Sequence, residues 1–219
     1  MAKVLFDPQQ LPVDSIAGEA AVAAERLTPD WLRKRFANPP DWMPEMAAEP
    51  LAQHPPPTRA AVLVPLVLRD DGLTILLTQR TAHLNNHGGQ VSFPGGRAEA
   101  SDTSPIDTAL RETEEEVGLA RRHVHVLGTL PDYYTGTGYC VTPVVGLITP
   151  PFELRADPFE VAEIFEVPLA FLMDGLNHQR LSAPLPSGRR SFYAMPYERF
   201  YIWGATAGML CNLFHFLRA

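Results

Sequence analysis

Between Gly95 and Leu119 the chain reads GGRAEASDTSPIDTALRETEEEVGL, a glycine pair followed by a run in which Glu112, Glu114, Glu115 and Glu116 crowd together. Carboxylates are hard oxygen donors, and a cluster of them can hold a divalent cation or move a proton. Ser104, Pro105 and Asp107 spell the start of a helix: an N-cap, a proline at the first helical position and an acid closing a capping box. Gly118 supplies the stop. At about 100° per residue, Ile106, Leu110, Thr113 and Val117 form one buried stripe, and Glu112, Glu115 and Glu116 share an arc of roughly 100° on the other side.

Acidic runs on helices ordinarily face solvent, where Lys or Arg at i+4 relieves their repulsion. Here the residues four after Glu112, Glu115 and Glu116 are Glu116, Leu119 and Ala120, so the repulsion calls for a cation. Three carboxylates suit Mg²⁺ or Mn²⁺, ions that complete their coordination with water and substrate phosphates. A phosphate-bearing small molecule is therefore the expected substrate. Gly95 and Gly96 are able to bring backbone groups close to the same metal or phosphate, or serve only as a tight turn.

The elements that must position these residues can be read from pattern. Residues 1–58 form an N-terminal extension. It holds an expected alanine-rich helix over 18–27, a second helix opened by Thr28 and Pro29 that packs Trp31, Leu32 and Phe36, and a proline-rich connector. From 59 to 219 a single domain is expected. AAVLVPLVL and LTILLTQR flank an Asp-Asp-Gly turn as a hairpin, a short strand runs over 88–93, and VHVLGTL and YCVTPVVGLIT follow the acidic helix. Strand continues over 157–165, a short helix opens at Val167–Leu169, SFYAMPY and RFYIW are late strands, and 204–217 is a last helix. Hairpins dominate the connections, so the fold class is α/β (α+β): a mixed sheet in an α/β/α sandwich.

Composition narrows the function. The chain has 219 residues, 46% of them hydrophobic, and a net charge of −7, with lysine only at Lys3 and Lys34. That disfavours a broad nucleic-acid surface. Cys140 and Cys211 stand far apart with no metal-ligand spacing, which fits a reducing cytoplasm. No apolar stretch suggests a signal peptide or membrane span.

The motif at 96–119 resembles the box of the Nudix hydrolases, GX5EX7REUXEEXGU, at Gly96, Arg111, Glu112, Glu115, Glu116, Gly118 and Leu119. It departs from that box by Asp102 in place of glutamate, by one extra residue before Arg111, and by Thr113 at an aliphatic position. Upstream, LLTQRTAHLNNHGGQVSFPGG resembles the second signature of the coenzyme A pyrophosphatase branch, with Asn85 where that signature has arginine. The resemblance implies metal-dependent hydrolysis of coenzyme A or acyl-CoA, with ADP-ribose or NADH as the alternative substrates and a non-catalytic nucleotide sensor as a further reading. It implies that Arg111 ties down a box glutamate and that a late glutamate takes part, Glu163 being preferred over Glu160. Arg80, His87 and Gln90 are candidates for substrate contact, and Tyr133 and Tyr134 for stacking on an adenine. An apolar C-terminus and family habit leave a homodimer open.

Overall fold

A computed structural model of the chain describes residues 6–45, 56–84, 88–185 and 188–219. Its centre is β2 (Thr58–Arg69), which is apolar on both faces because it is covered on both. Asp70 and Asp71 turn it into β3 (Gly72–Arg80), and on its other edge it runs parallel to β8 (Tyr139–Ile148). Short β4 (Val91–Ser92) and the long β9 (Val161–Pro168) pair with β3, while β6 (Val124–Thr129) and β7 (Tyr133–Tyr134) pair with β8. With β5 (Gly95–Arg97) on β2, these make an eight-stranded mixed sheet.

Pro65 sits inside this central strand without costing a ladder bond. The Leu63 N–H points to the Pro94 carbonyl, so position 65 faces the same side, in the gap where the partner of β2 changes from β5 (opposite Ala60–Val62) to β3 (opposite Leu66–Arg69).

Helix α2 (Pro105–Val117) covers one face through Ala109, Val117, Ile106 and Leu110, which meet Ala61, Leu63, Leu76 and Val144. The other face carries the larger core, closed by α3 (Leu169–Leu172) and α4 (Gly204–Arg218), with α1 (Pro29–Ala37) against it through Leu32. The α/β/α sandwich expected from the sequence is the observed architecture. A separate antiparallel sheet, in the order β1 (Val13–Ile16), β10 (Gln179–Leu185), β11 (Gly188–Tyr197), β12 (Phe200–Trp203), joins one N-terminal strand to three from the C-terminal part of the chain.

Three expectations need correction. No helix runs over 18–27; only Ala24–Leu27 makes a 3₁₀ turn, because Ala17, Gly18 and Val22 donate their N–H groups to His178, Gly175 and Met173, and those partners hold the backbone extended. The glycine pair is a strand rather than a bare turn, and the strand expected over 88–93 shrinks to Val91–Ser92. The apolar residues of α4 are buried within the chain. Trp42 and Phe36 pack on Phe216, as expected for aromatic residues of the N-terminal segment.

Candidate active site

The site begins with how α2 is held. Ser104 Oγ accepts from the Asp107 N–H at 3.2 Å, and Asp107 Oδ2 accepts from the Thr103 N–H at 3.2 Å, so the capping box closes one residue earlier than in the usual form. Gly118, at φ 70°, ends the helix in the left-handed region, and its N–H returns to the Glu114 carbonyl. Position around the helix then sorts the three glutamates. Taking the fully buried Thr113 as the inner face, Glu116, Glu112 and Glu115 lie roughly 60°, 100° and 160° away at 100° per residue. Their side-chain exposures follow, at 5%, 17% and 60%. The arc read from sequence is therefore graded: Glu112 and Glu116 sit at the sheet, and Glu115 stands at the rim, accepting from Arg111 Nη1 at 3.2 Å.

Gly96 makes room for Glu112, and Gly95 lets its strand lie close against β2. A Cβ on Gly96 would lie 2.4 Å from Glu112 Oε2, and one on Gly95 would lie 2.5 Å from the Ala61 carbonyl oxygen. Gly95, at φ 148°, instead donates its N–H to Glu116 Oε2 at 3.1 Å. Burial pushes the Glu116 carboxyl up to about 7, with Glu160 and Glu112 adding like charge and the Gly95 N–H and Arg80 opposing the rise. Burial also raises Glu112, against the pull of Arg111.

Two arginines meet the acidic set in different ways. Arg111 is gripped by Asp102, Nε to Oδ1 at 2.9 Å and Nη2 to Oδ2 at 3.0 Å, while its Nη1 donates to Glu112 Oε1 at 2.9 Å. Asp102 also accepts from the Glu99 N–H and the Thr108 hydroxyl, and the Arg111 guanidinium holds its carboxyl well below the usual range. Aspartate is one methylene shorter than glutamate, yet Asp102 makes both bonds to the guanidinium. Arg80 lies more loosely, 3.5 Å from Glu116 Oε1 and 3.7 Å from Glu160 Oε2.

The late glutamate beside the helix is Glu160, and the preference for Glu163 is corrected. Opposite Gln79 in the β3–β9 register, Glu163 shares the face of Leu77 and Phe165, away from α2, and pairs with Arg199. Strand alternation from Ile164, which packs under α2, puts Glu163 on the opposite face, while Glu160 lies in the turn just before β9. Gln90 accepts the Arg80 N–H through its carbonyl at 2.9 Å. His87 and Asn85 lie outside the described residues. Tyr133 packs its hydroxyl end against Gly208 of α4, and Tyr134 interacts with Cys140, so both tyrosines are engaged in the fold.

Among the described residues no three His, Cys, Asp or Glu side chains stand at metal-holding spacing. The donors nevertheless suit a divalent cation in kind, because Glu112, Glu116 and Glu160 bring three hard-oxygen carboxylates together against only Arg111 and Arg80.

Sandwich, glycine wall and glutamate helix together define a class, and the comparisons agree with it. The NUDIX domain model matches residues 57–180, and the chain belongs to the Nudix hydrolases. It is 44% identical over 155 residues to an uncharacterised Nudix hydrolase, NudL, of Escherichia coli O6:H1, covering 71% of this chain and 80% of that one. NudL of Photorhabdus laumondii is 43% identical over 166 residues, covering 73% and 88% of the two chains. A crystal structure of a Nudix hydrolase from M. smegmatis, RenU, aligns with a TM-score of 0.44 at 26% identity over 51% of this chain and 71% of that one. No helix among the described residues is long and apolar enough to cross a membrane.

Proposed function

We propose that this Nudix hydrolase cleaves the pyrophosphate of coenzyme A or an acyl-CoA, giving 3′,5′-ADP and 4′-phosphopantetheine or its acyl form. The observation that carries the reading is that the two signatures meet in space. Gly95, from the end of the upstream signature, binds Glu116 of the box, Gly96 abuts Glu112, and Arg80 of the same upstream signature reaches Glu116. Glu112 and Glu116, with Glu115 at the rim, are the proposed holders of Mg²⁺ or Mn²⁺, which when bound neutralises phosphate oxygens and orients water. Glu160 takes the place proposed from sequence for Glu163, as the carboxylate that accepts a proton from the attacking water. Arg111 keeps Glu112 and Glu115 in place. Arg80, Gln90 and His87 lie on the segment that leads to the glycines and are assigned to the substrate side.

Incubation of the purified protein with CoA and each metal in turn, with products resolved by mass, tests this directly. Formation of 3′,5′-ADP is expected, and its absence with both metals would sink the assignment. Asn85, standing where the CoA signature has arginine, favours a second reading, hydrolysis of ADP-ribose or NADH. Equimolar competition separates the two readings through kcat/KM.

A further inference from the structure

Phe159 is the only aromatic residue among the large apolar side chains strongly exposed in the described residues, at 66%. It directly precedes Glu160, which meets Arg80 at the edge of the acidic site. An exposed phenylalanine on a loop ordinarily has freedom to move, but here the backbone is tied on several sides. The Phe159 N–H donates to Asp157 Oδ1 at 2.9 Å, and its carbonyl accepts the Thr81 hydroxyl at 2.8 Å. The Thr81 N–H donates to the Glu160 carbonyl at 2.9 Å, and the Asp157 N–H donates to the Glu116 carbonyl at 2.8 Å. The backbone that carries the ring is thereby fixed to the last turn of α2, which carries Glu116, and to the end of β3, which carries Arg80. His83 meets the ring at 4.9 Å between centroids and 64° between planes, an edge contact that sets its tilt and leaves it exposed.

An exposed apolar π-face on an ordered backbone beside a phosphate-handling site matches one part of a nucleotide, the base. Stacking on a preorganised ring accepts any base and forgoes the cost of ordering the ring on binding. We propose that Phe159, braced by His83, is the stacking platform for the nucleobase of the substrate, with the diphosphate lying over Glu112, Glu116 and Arg80. This rests on the pyrophosphatase reading of the same site and assigns a part of the substrate that reading leaves open.

The test measures binding of α,β-methylene ADP, which cannot be cleaved at its bridge, and of inorganic pyrophosphate, by calorimetry on the full chain. Phe159→Ala and Phe159→Leu are expected to weaken the nucleotide at least about fivefold, the low end of base–aromatic stacking, and Phe159→Trp to keep it. Pyrophosphate binding should not change. Unaltered nucleotide affinity in Phe159→Leu, equal losses for both ligands, or no nucleotide binding by the unsubstituted chain would each overturn the proposal. Failure to hydrolyse CoA removes the substrate assignment alone, because neither ligand needs CoA chemistry to report on the ring.

Discussion

At the scale of single residues, the site keeps a carboxylate where water cannot stabilise it. Glu116 is 5% exposed, and its carboxyl is pushed up to about 7 from an ordinary value of 4.5. The folded chain therefore binds a proton between those two values that the unfolded chain does not. Unfolding then releases a proton, so metal-free stability falls as pH rises from about 4.5 and levels off above about 7. A glutamine at this position never ionises and escapes the loss. With chelator present, the Tm of Glu116→Gln minus that of the parent should grow between about pH 5 and pH 8, as followed by thermal unfolding. Adding Mn²⁺ at the higher pH should raise the parent's Tm and leave the variant's nearly unmoved. A pH-independent difference would mean that Glu116 is ionised throughout. Sequence alone placed Glu112, Glu115 and Glu116 on one arc and, with Thr113 on the buried stripe, their order around the helix, but not how deeply the sheet and the glycines enclose each one, a property of packing. The grip of Asp102 on Arg111 was hidden because the partners are nine positions apart and Asp102 departs from the box.

At the scale of elements, α2 was legible because its signals are local: a capping serine, a proline, an apolar stripe and a terminal glycine. The stop matters to the site as well as to the helix. Beyond Gly118, Arg155 donates its N–H to the Val117 carbonyl at 2.9 Å, and Asp157 donates to Glu116, which begins the path to Phe159 and Glu160. A Cβ on Gly118 would adopt left-handed geometry only 3.1 Å from the Arg155 nitrogen. Gly118→Ala should therefore cost about 1–2 kcal/mol, a fall in Tm of roughly 2–8 °C for a chain of this size. Gly118→Asn, which tolerates this conformation better, should lose less, and scanning calorimetry would show the ranking; equal stability in all three chains would contradict the strain. Elements built from long-range pairing were the ones sequence could not supply. Strand β1 has four exposed residues and exists through its pairing with β10, more than 160 positions away. The alanine-rich stretch has helical propensity, but the 173–178 segment captures its N–H groups, and tertiary pairing overrides propensity.

At the scale of the molecule, the N-terminal segment closes the fold by capping its last helix. The final carbonyls of α4 have no partner within the helix and carry the negative end of its dipole. Arg26 Nη1 donates to the Leu217 and Arg218 carbonyls at 3.1 and 2.7 Å, and Arg35 donates twice to the Phe216 carbonyl at 3.0 and 2.8 Å. Trp31 lies under both guanidiniums, at 5.6 and 5.2 Å, and burial beside Arg26 lowers the pKa of Arg35. Two like charges are thus held close together where four hydrogen bonds and an aromatic ring offset their repulsion. Sequence shows the arginines and the apolar helix but not that they meet, because about 190 residues separate the partners. Removing both cations by Arg26→Ala with Arg35→Ala should cost on the order of 2 kcal/mol, counting about 1 for each arginine's net hydrogen bonding. The Tm should then fall by roughly 4–8 °C, while turnover per folded molecule is unchanged because neither arginine contacts the acidic site. The single variants should lose less than half each if repulsion between the charges is appreciable, since removing one relieves the other. An unshifted Tm in the double variant would show that the rings of Trp31, Phe36 and Trp42 hold the segment without help from the helix end.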